Sequence, residues 1–519
     1  MEENNKLFVG GDLSGIQKYL YNISSHKAAV SLKGRSAKLC DYMKECCKKI
    51  ESVASEAGAK KVDPIYCSGG KFYIIIDISE NRETVINAID QQAKGIKEKL
   101  WEKQKGQLGI NIAYIPFTEN TDGTVNVDGK TNQNCGELWK IVNAKFVVQK
   151  NQKFKDMLIR QFNEFCEPIT VGGKPKVCAI TGIESNGCVP LHKDKPIDGK
   201  ENFYVHPVVK EQIQYGEYLR SRDKFKTFDE YADGTELGVL RMDVDGLGKR
   251  FIKGFKSLEE YREYSNSLTE FFEEYIKKLQ ETQNYKNNLN IIYAGGDDLF
   301  IVGRWDKVID FAELIHKEVE KAPFNMNVED DNKIHISGGI AIVKSTFPIA
   351  KAADLAGEAE DFAKQFDGEE NGYGKKNAFH MLGKTISWAE PKYKKGLTSQ
   401  ESNKELSEYD YTKWYKDKFI TLITKHSLSK SILHQIMLYS SIADKNKTLK
   451  EGVPKNYSYI WHLSYYLTRY AKRYEKSTEI CKFCYILRDN ELRNERKLEL
   501  IALAARWAEL VLKDELNNN

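Results

Sequence analysis

Two stretches of the chain repeat one pattern of apolar and polar positions. In each, an apolar run stops at an acid and a glycine, and a polar, helix-prone stretch follows. A second apolar run then breaks at Gly-Gly, and a third begins. The first copy opens with GDLSGIQKYLYNI, residues 11–23, and reaches IYCSGGKFYIII, residues 65–76. The second opens with MDVDGLGKRFIKG, residues 242–254, and reaches IIYAGGDDLFIV, residues 291–302. Laid over each other, Asp12 meets Asp243, Gly15 meets Gly246, Ile16 meets Leu247 and Lys18 meets Lys249. Matching Gly-Gly to Gly-Gly puts Lys71 and Phe72 at the positions of Asp297 and Asp298, and Ser14 replaces Asp245. A repeat of this kind is the signature of a duplicated unit; here the fold is duplicated and the acids are not.

After the second hairpin, KVIDFAELIHKEVEKA has helical apolar spacing, and KIHISGGIAIV, residues 333–343, reads as a strand. DLAGEAEDFAKQF, residues 354–366, places Leu355, Ala359, Phe362, Ala363 and Phe366 on one helical stripe. The order of strand, helices, hairpin, helix, strand and helix predicts an antiparallel sheet with helices on one face. Residues 166–235 hold Cys166, Cys178, Cys188 and His192 amid Gly, Lys and Pro, and read as an insert with little core of its own. From about residue 391 the chain is rich in Lys, Tyr and Leu and almost without Gly, which predicts helices. The expected architecture is α+β: two ferredoxin-like domains over 1–165 and 236–390, the insert over 166–235, and an all-α domain over 391–519.

Composition adds bounds. A chain of 519 residues is too long for one core. Its apolar fraction of 41 % and charged fraction of 30 % are those of a soluble protein, and a net charge of +4 excludes a wholesale basic nucleic-acid coat. No signal pattern or membrane-length apolar run is present, so a cytoplasmic protein with its 10 cysteines mostly reduced is expected.

The chemistry lies in Asp243, Asp297 and Asp298. Carboxylates from separate strands converging on one point are what two-metal phosphoryl transfer needs. Hard oxygen ligands favour Mg²⁺ or Mn²⁺. Val244, through its carbonyl, and Asp245 stand beside the first acid. Gly295 and Gly296 would let a nucleotide approach where a Cβ would block it. Gly246 and Gly248 would leave backbone N–H groups for phosphate, with Lys249 on the helix that follows. Gly-Gly-Asp-Asp by itself is often only a solvated turn; its pairing with Met-Asp-Val-Asp-Gly inside a duplicated unit is what points to catalysis.

These motifs, GDLSGIQKYLYNIS, SGGKFY, MDVDGLG and YAGGDDLF, resemble those of the large polymerase-cyclase subunit of type III CRISPR effector complexes, Csm-type. The resemblance spans nearly the whole chain. It implies two palm domains of the nucleotidyl cyclase type, face to face. Two ATP molecules lie between them and are joined 3′ to 5′ into cyclic oligoadenylate when guide RNA and matching target RNA are bound. It implies metals on Asp243, Asp297 and Asp298, and a second nucleotide beside Ser14, Gly15, Ser68, Gly69 and Gly70 in the degenerate palm. Lys375 in GYGKKNAFH matches a basic position that reaches a triphosphate; a solvated loop lysine is the alternative. The other effector subunits are the implied partners, docking on the C-terminal helices near the 5′ end of the guide.

Two departures stand out. Many members begin with a histidine-aspartate nuclease domain; this sequence contains no His-Asp dipeptide, and no DNA cleavage is expected of it. The family's zinc module commonly has four cysteines in two pairs. Here Cys166, Cys178, Cys188 and His192 offer a Cys₃His set without a C-x-x-C knuckle, so buried thiols compete with structural zinc. Cys481 and Cys484 form a lone C-x-x-C that reads as a helix face. YSYIWHLSYYLTRYAKRYEK, residues 457–476, reads as a core helix with a basic edge, and a face of aromatics with Arg469, Lys472 and Arg473 that tracks an RNA strand is the alternative. Rival functions are a diguanylate-cyclase-like enzyme, the same palm joining ATP to a different acceptor, and a silent scaffold subunit.

Overall fold

The computed structural model describes the chain except residues 1–4, 25–26, 105, 161, 163–175, 183, 186, 192–203, 254, 256, 327, 329–332, 368–375, 389–392, 395–404, 449–452, 454 and 518–519. The chain divides into two compact units, residues 1–335 with 343–354, and residues 336–342 with 355–519.

In the first unit, strands β1 (Lys6–Ser14), β2 (Lys61–Ser68), β3 (Lys71–Asp77), β4 (Gly109–Glu119), β5 (Val125–Val127) and β6 (Lys130–Gln133) form one antiparallel sheet in the order β2-β3-β1-β4-β5-β6. The run LFVGGDL of β1 is buried throughout because the strand is central, flanked by β3 and β4. Helices α1 (Ile16–Tyr21), α2 (Ala28–Glu56), α3 (Arg82–Gln104), α4 (Gly136–Asn151) and the short α5 (Lys155–Arg160) belong to this half. Four two-residue strands follow: β7 (Lys176–Val177) paired with β8 (Glu184–Ser185), and β9 (Val189–Pro190) paired with β10 (Tyr204–Val205).

The second copy repeats the first. Strand β11 (Glu236–Asp245) pairs antiparallel with β13 (Asp298–Arg304), and β13 pairs with β12 (Leu289–Gly295). Even the irregularity recurs. β2 bulges between Pro64 and Tyr66, and β12 bulges between Ile291 and Tyr293. A bulge adds one unpaired residue and re-aims the strand end beyond it.

This shared bulge corrects the overlay made on the glycines. Asp243 pairs with Asp298, and Asp12 pairs with Lys71. Val244 N–H donates to the Asp297 carbonyl at 3.2 Å, and Leu13 N–H donates to the Gly70 carbonyl at 2.8 Å. The counterparts of Asp297 and Asp298 are therefore Gly70 and Lys71, one residue earlier than Lys71 and Phe72. Ser68 and Gly69 match Gly295 and Gly296.

The C-terminal part of the insert is better packed than the composition of the segment suggests. Its helix, Pro207–Asp223, lies along α2. Gly34 and Gly216 make this possible: a Cβ on Gly34 would fall 2.0 Å from the Gln212 carbonyl oxygen, and one on Gly216 would fall 2.0 Å from that of Val30.

In the second unit, the middle of β14 (His335–Lys344) runs parallel to β15 (Ala378–Met381), which turns back antiparallel into β16 (Lys384–Ser387). The parallel pair departs from the all-antiparallel expectation. It arises because the helix Ile349–Lys364 crosses between its two strands. A Cβ on Gly339 would meet the Ala359 backbone at 2.3 Å, so only small side chains fit beneath that helix. Ala359 and Ala363 are buried there, whereas Leu355 and Phe362 of the expected stripe are exposed. Phe362 stacks on His380 instead, with centroids 5.0 Å apart.

The rest of this unit includes the short pair β17 (Tyr393–Lys394) and β18 (Glu405–Leu406) and the helices Glu408–His426, Ser431–Asp444, Ser458–Arg473, Thr478–Ile486 and Glu495–Asn517. Buried Glu408 accepts from Arg496 Nε at 2.8 Å and from the Ser387 amide at 2.9 Å. On Ser458–Arg473, Tyr459, Leu463 and Leu467 are buried while Trp461, Tyr465 and Arg469 face out. Cys481 and Cys484 lie on one helix, the first donating to the Ala471 carbonyl at 3.2 Å and the second buried.

Candidate metal centre

The site is built where β11 ends and the β12–β13 hairpin turns, all within the first unit. Pairing of Asp243 with Asp298, and of Asp298 with Gly295, brings three strand ends to one point. Carboxylate oxygens of Asp243, Asp297 and Asp298 lie within 4.8 Å of one another, each residue half-buried. Three hard oxygen donors so close repel when ionised and suit a divalent cation such as Mg²⁺ or Mn²⁺. Asp245 is buried two residues further along and is outside that set, and Val244 is buried between them.

The first copy shows what the same backbone does without these acids. Asp12, only 3 % exposed, stands at the register of Asp243, but Lys150 reaches its carboxylate at 2.8 Å. Lys71 stands where Asp298 does. The residues there supply their own cations and do not fit a divalent ion. Lys153 lies near Gly15, and burial, with Lys18 nearby, holds its ammonium below the ordinary lysine value.

The two hairpins meet tip to tip. A Cβ on Gly69 would fall 2.9 Å from Gly296 Cα, and one on Gly296 would fall 2.9 Å from Gly69 Cα and from the Tyr66 hydroxyl. Equivalent residues of the two copies thus touch. The room left by the absent side chains of Gly69 and Gly296 is taken by the opposite hairpin. Tyr293, the counterpart of Tyr66, has its hydroxyl 3.3 Å from a Cβ position on Gly295. Burial pushes both phenols well above the ordinary tyrosine value; the charge of Asp297 adds to this for Tyr66, and those of Cys40, Asp298 and Asp297 for Tyr293.

The remaining expected residues fall as follows. Ser14 donates to the Gly109 carbonyl at 3.0 Å, tying β1 to β4. Gly15 and Gly246 share the left-handed conformation, with φ of 89° and 73°. Around Gly246 and Gly248 a Cβ would meet nothing within 4 Å, and Lys249 is exposed beside them. Gly70 packs under Ile16. Ser68 hydrogen-bonds across to the second copy. Lys375, Cys166 and His192 lie outside the described residues; Cys178 and Cys188 are buried, and Cys178 accepts from the His206 amide at 3.5 Å. Tyr66, Tyr293, Lys150 and Glu273 were not singled out from the sequence. The tyrosines could have been: each stands two residues before the strand end, and aligning them rather than the glycines gives the correct register.

The family model for the second palm domain of Cas10/Cmr2 matches residues 236–374, and that for domain B of the Csm1 subunit matches residues 5–168. A subtype III-A "CRISPR system single-strand-specific deoxyribonuclease Cas10/Csm1" from Enterococcus italicus is 27 % identical over 434 residues, covering 71 % of this chain and 54 % of its own length. Its namesake from Streptococcus thermophilus is 24 % identical over 416 residues, covering 70 % and 53 %. The chain spans about half the length of these curated relatives. Among solved structures, a Csm1-Csm4 cassette in complex with pppApApA matches with a TM-score of 0.61 at 18 % identity, covering 98 % of this chain and 69 % of that one. The cassette in complex with cA4 matches with a TM-score of 0.59 at 18 % identity, covering 97 % and 70 %. At that identity the likeness is one of fold.

Proposed function

Because the chain is a Cas10/Csm1-like large subunit, we propose that it is the nucleotidyltransferase of a type III CRISPR effector complex, converting ATP to cyclic oligoadenylate when target RNA is bound. The observation that carries this reading is the convergence of Asp243, Asp297 and Asp298 within 4.8 Å, beside a copy of the same fold in which Lys71 and Lys150 replace that chemistry. Asp243, Asp297 and Asp298 would hold a divalent cation at this point, which would supply Lewis-acid polarisation of the attacked phosphate and a lowered pKa of the 3′-hydroxyl. The chain's own residues do the rest. The three carboxylates stand on strand ends and in the hairpin turn between them, Gly246 leaves open backbone beside them, and exposed Lys249 offers a cation to a triphosphate. The degenerate palm needs only to hold a nucleotide. Related Csm1-Csm4 cassettes are described with ATP, with pppApA and with cA4, which supports ATP as substrate and a Csm4-type subunit, with guide and target RNA, as partners. The relatives are named deoxyribonucleases; the reading for this chain is confined to the palm chemistry.

The test uses the assembled effector complex with guide and matching target RNA, radiolabelled ATP and Mg²⁺ or Mn²⁺. Cyclic adenylates are expected, and loss of about a thousandfold or more in Asp297→Ala/Asp298→Ala, as for removal of a charge-stabilising centre. Products unchanged in that variant, or none with any nucleotide, overturn the reading.

A further inference from the structure

The mutual contact of the two hairpins is asymmetric in one respect. Ser68 stands where the second copy has Gly295. Its hydroxyl accepts from the Gly296 amide at 3.0 Å, in a buried position, and donates to the Glu273 carboxylate. Glu273 belongs to the second copy and lies 3.8 Å from Lys44 of the first. The sequence of partners is therefore Glu273, Ser68, Gly296, and the next residue is Asp297.

Glu273 is presented by an unusual element. The helix Leu258–Thr269 runs into a π-turn, Glu270–Tyr275, before resuming as Ile276–Gln280. A π-turn inserts one residue into the helical register and is frequent at functional sites. Here Phe271 and Phe272 are both buried, and Glu273 is turned to the hairpin tips.

We propose that Ser68 and Glu273 form a positioning latch, by which the degenerate palm fixes the turn carrying Asp297 and Asp298. The turn amide of Gly296 has no ladder partner of its own in a two-residue hairpin, so an outside acceptor decides its orientation. That acceptor is a side chain of the other palm, itself held by a carboxylate of the catalytic one. The acid-free hairpin thereby has a use that does not require it to bind metal. This inference rests on the reading of the three aspartates as metal ligands.

The experiment measures Mn²⁺ affinity of the purified full chain by electron paramagnetic resonance titration, with circular dichroism melting to establish folding. Ser68→Ala and Glu273→Ala are each expected to weaken Mn²⁺ binding about fivefold, the effect of losing one hydrogen bond. Glu273→Gln keeps an acceptor oxygen and is expected to restore affinity to within about twofold, which a merely space-filling role for Glu273 would not require. If Ser68→Ala does not fold, the Glu273 pair decides alone, since that side chain is partly exposed. Folded Ser68→Ala and Glu273→Ala proteins with native Mn²⁺ affinity overturn the latch, provided Asp297→Ala/Asp298→Ala abolishes binding. Native affinity in the double aspartate variant overturns the metal reading itself, and the latch with it.

Discussion

Position 70 cannot carry the acid that its counterpart Asp297 carries. Gly70 has φ of +78°, following Gly69 at +58°, whereas in the second hairpin only Gly296, at +68°, lies in the left-handed region. A Cβ on Gly70 would also fall 2.4 Å from Ile16 Cδ1. Restoring the acids by Gly70→Asp/Lys71→Asp is therefore expected to destabilise the first unit by about 1–3 kcal/mol, from backbone strain and overpacking, without creating a second metal site. Urea unfolding with Mn²⁺ titration checks this; an unchanged midpoint with extra bound Mn²⁺ would refute it. The same residue shows why the register was misread. Two adjacent glycines occur in both hairpins for different reasons, two turn positions in one, a strand end and a turn position in the other. A string match cannot separate these cases; the bulge can.

Among elements, the packing of α2 on the Pro207–Asp223 helix depends on what is missing from it. Gly34 and Gly216 bring backbone against backbone, and neither contributes to an apolar pattern. This is why the segment read as a core-poor insert although Ile213 and Leu219 are buried in it. Gly216→Ala places a Cβ 2.0 Å from the Val30 carbonyl and must push the helices apart. A cost of about 1–3 kcal/mol is expected, more than offsetting the gain in helix propensity. Thermal unfolding of the variant is the check, and a raised midpoint would show that the helices can separate freely. The helix Ile349–Lys364 gives the same lesson in reverse. Its large apolar residues suggested the buried stripe, but Gly339 admits the helix so closely that the alanines fill it. The strand, hairpin and helix order was legible because period and breakers are local; which face closes on a glycine depends on a partner distant in sequence.

For the molecule as a whole, duplication was legible from spacing alone, and its consequence lies in how the copies meet. Each hairpin is marginal in isolation. Here the two tips support each other through Gly69 and Gly296, and the acids gather on one side only. A cluster of three carboxylates works against folding until a cation neutralises it. Metal binding is thus linked to stability: an ion at about 100 times its dissociation constant adds about 2.7 kcal/mol to the state that binds it. Scanning calorimetry with and without Mn²⁺ should show the unfolding midpoint rise in the native chain. In Asp297→Ala/Asp298→Ala the metal-free midpoint should stay level or rise, because repulsion is relieved, and Mn²⁺ should no longer move it. Lys150→Met serves as the contrast, since it exposes Asp12 as a buried charge without touching the three acids. That chain should melt earlier yet gain as much from Mn²⁺ as the native one. An equal Mn²⁺ shift in the double aspartate variant would place the ion elsewhere, and a lost shift in Lys150→Met would mean that Asp12 of the first palm also takes part in holding it.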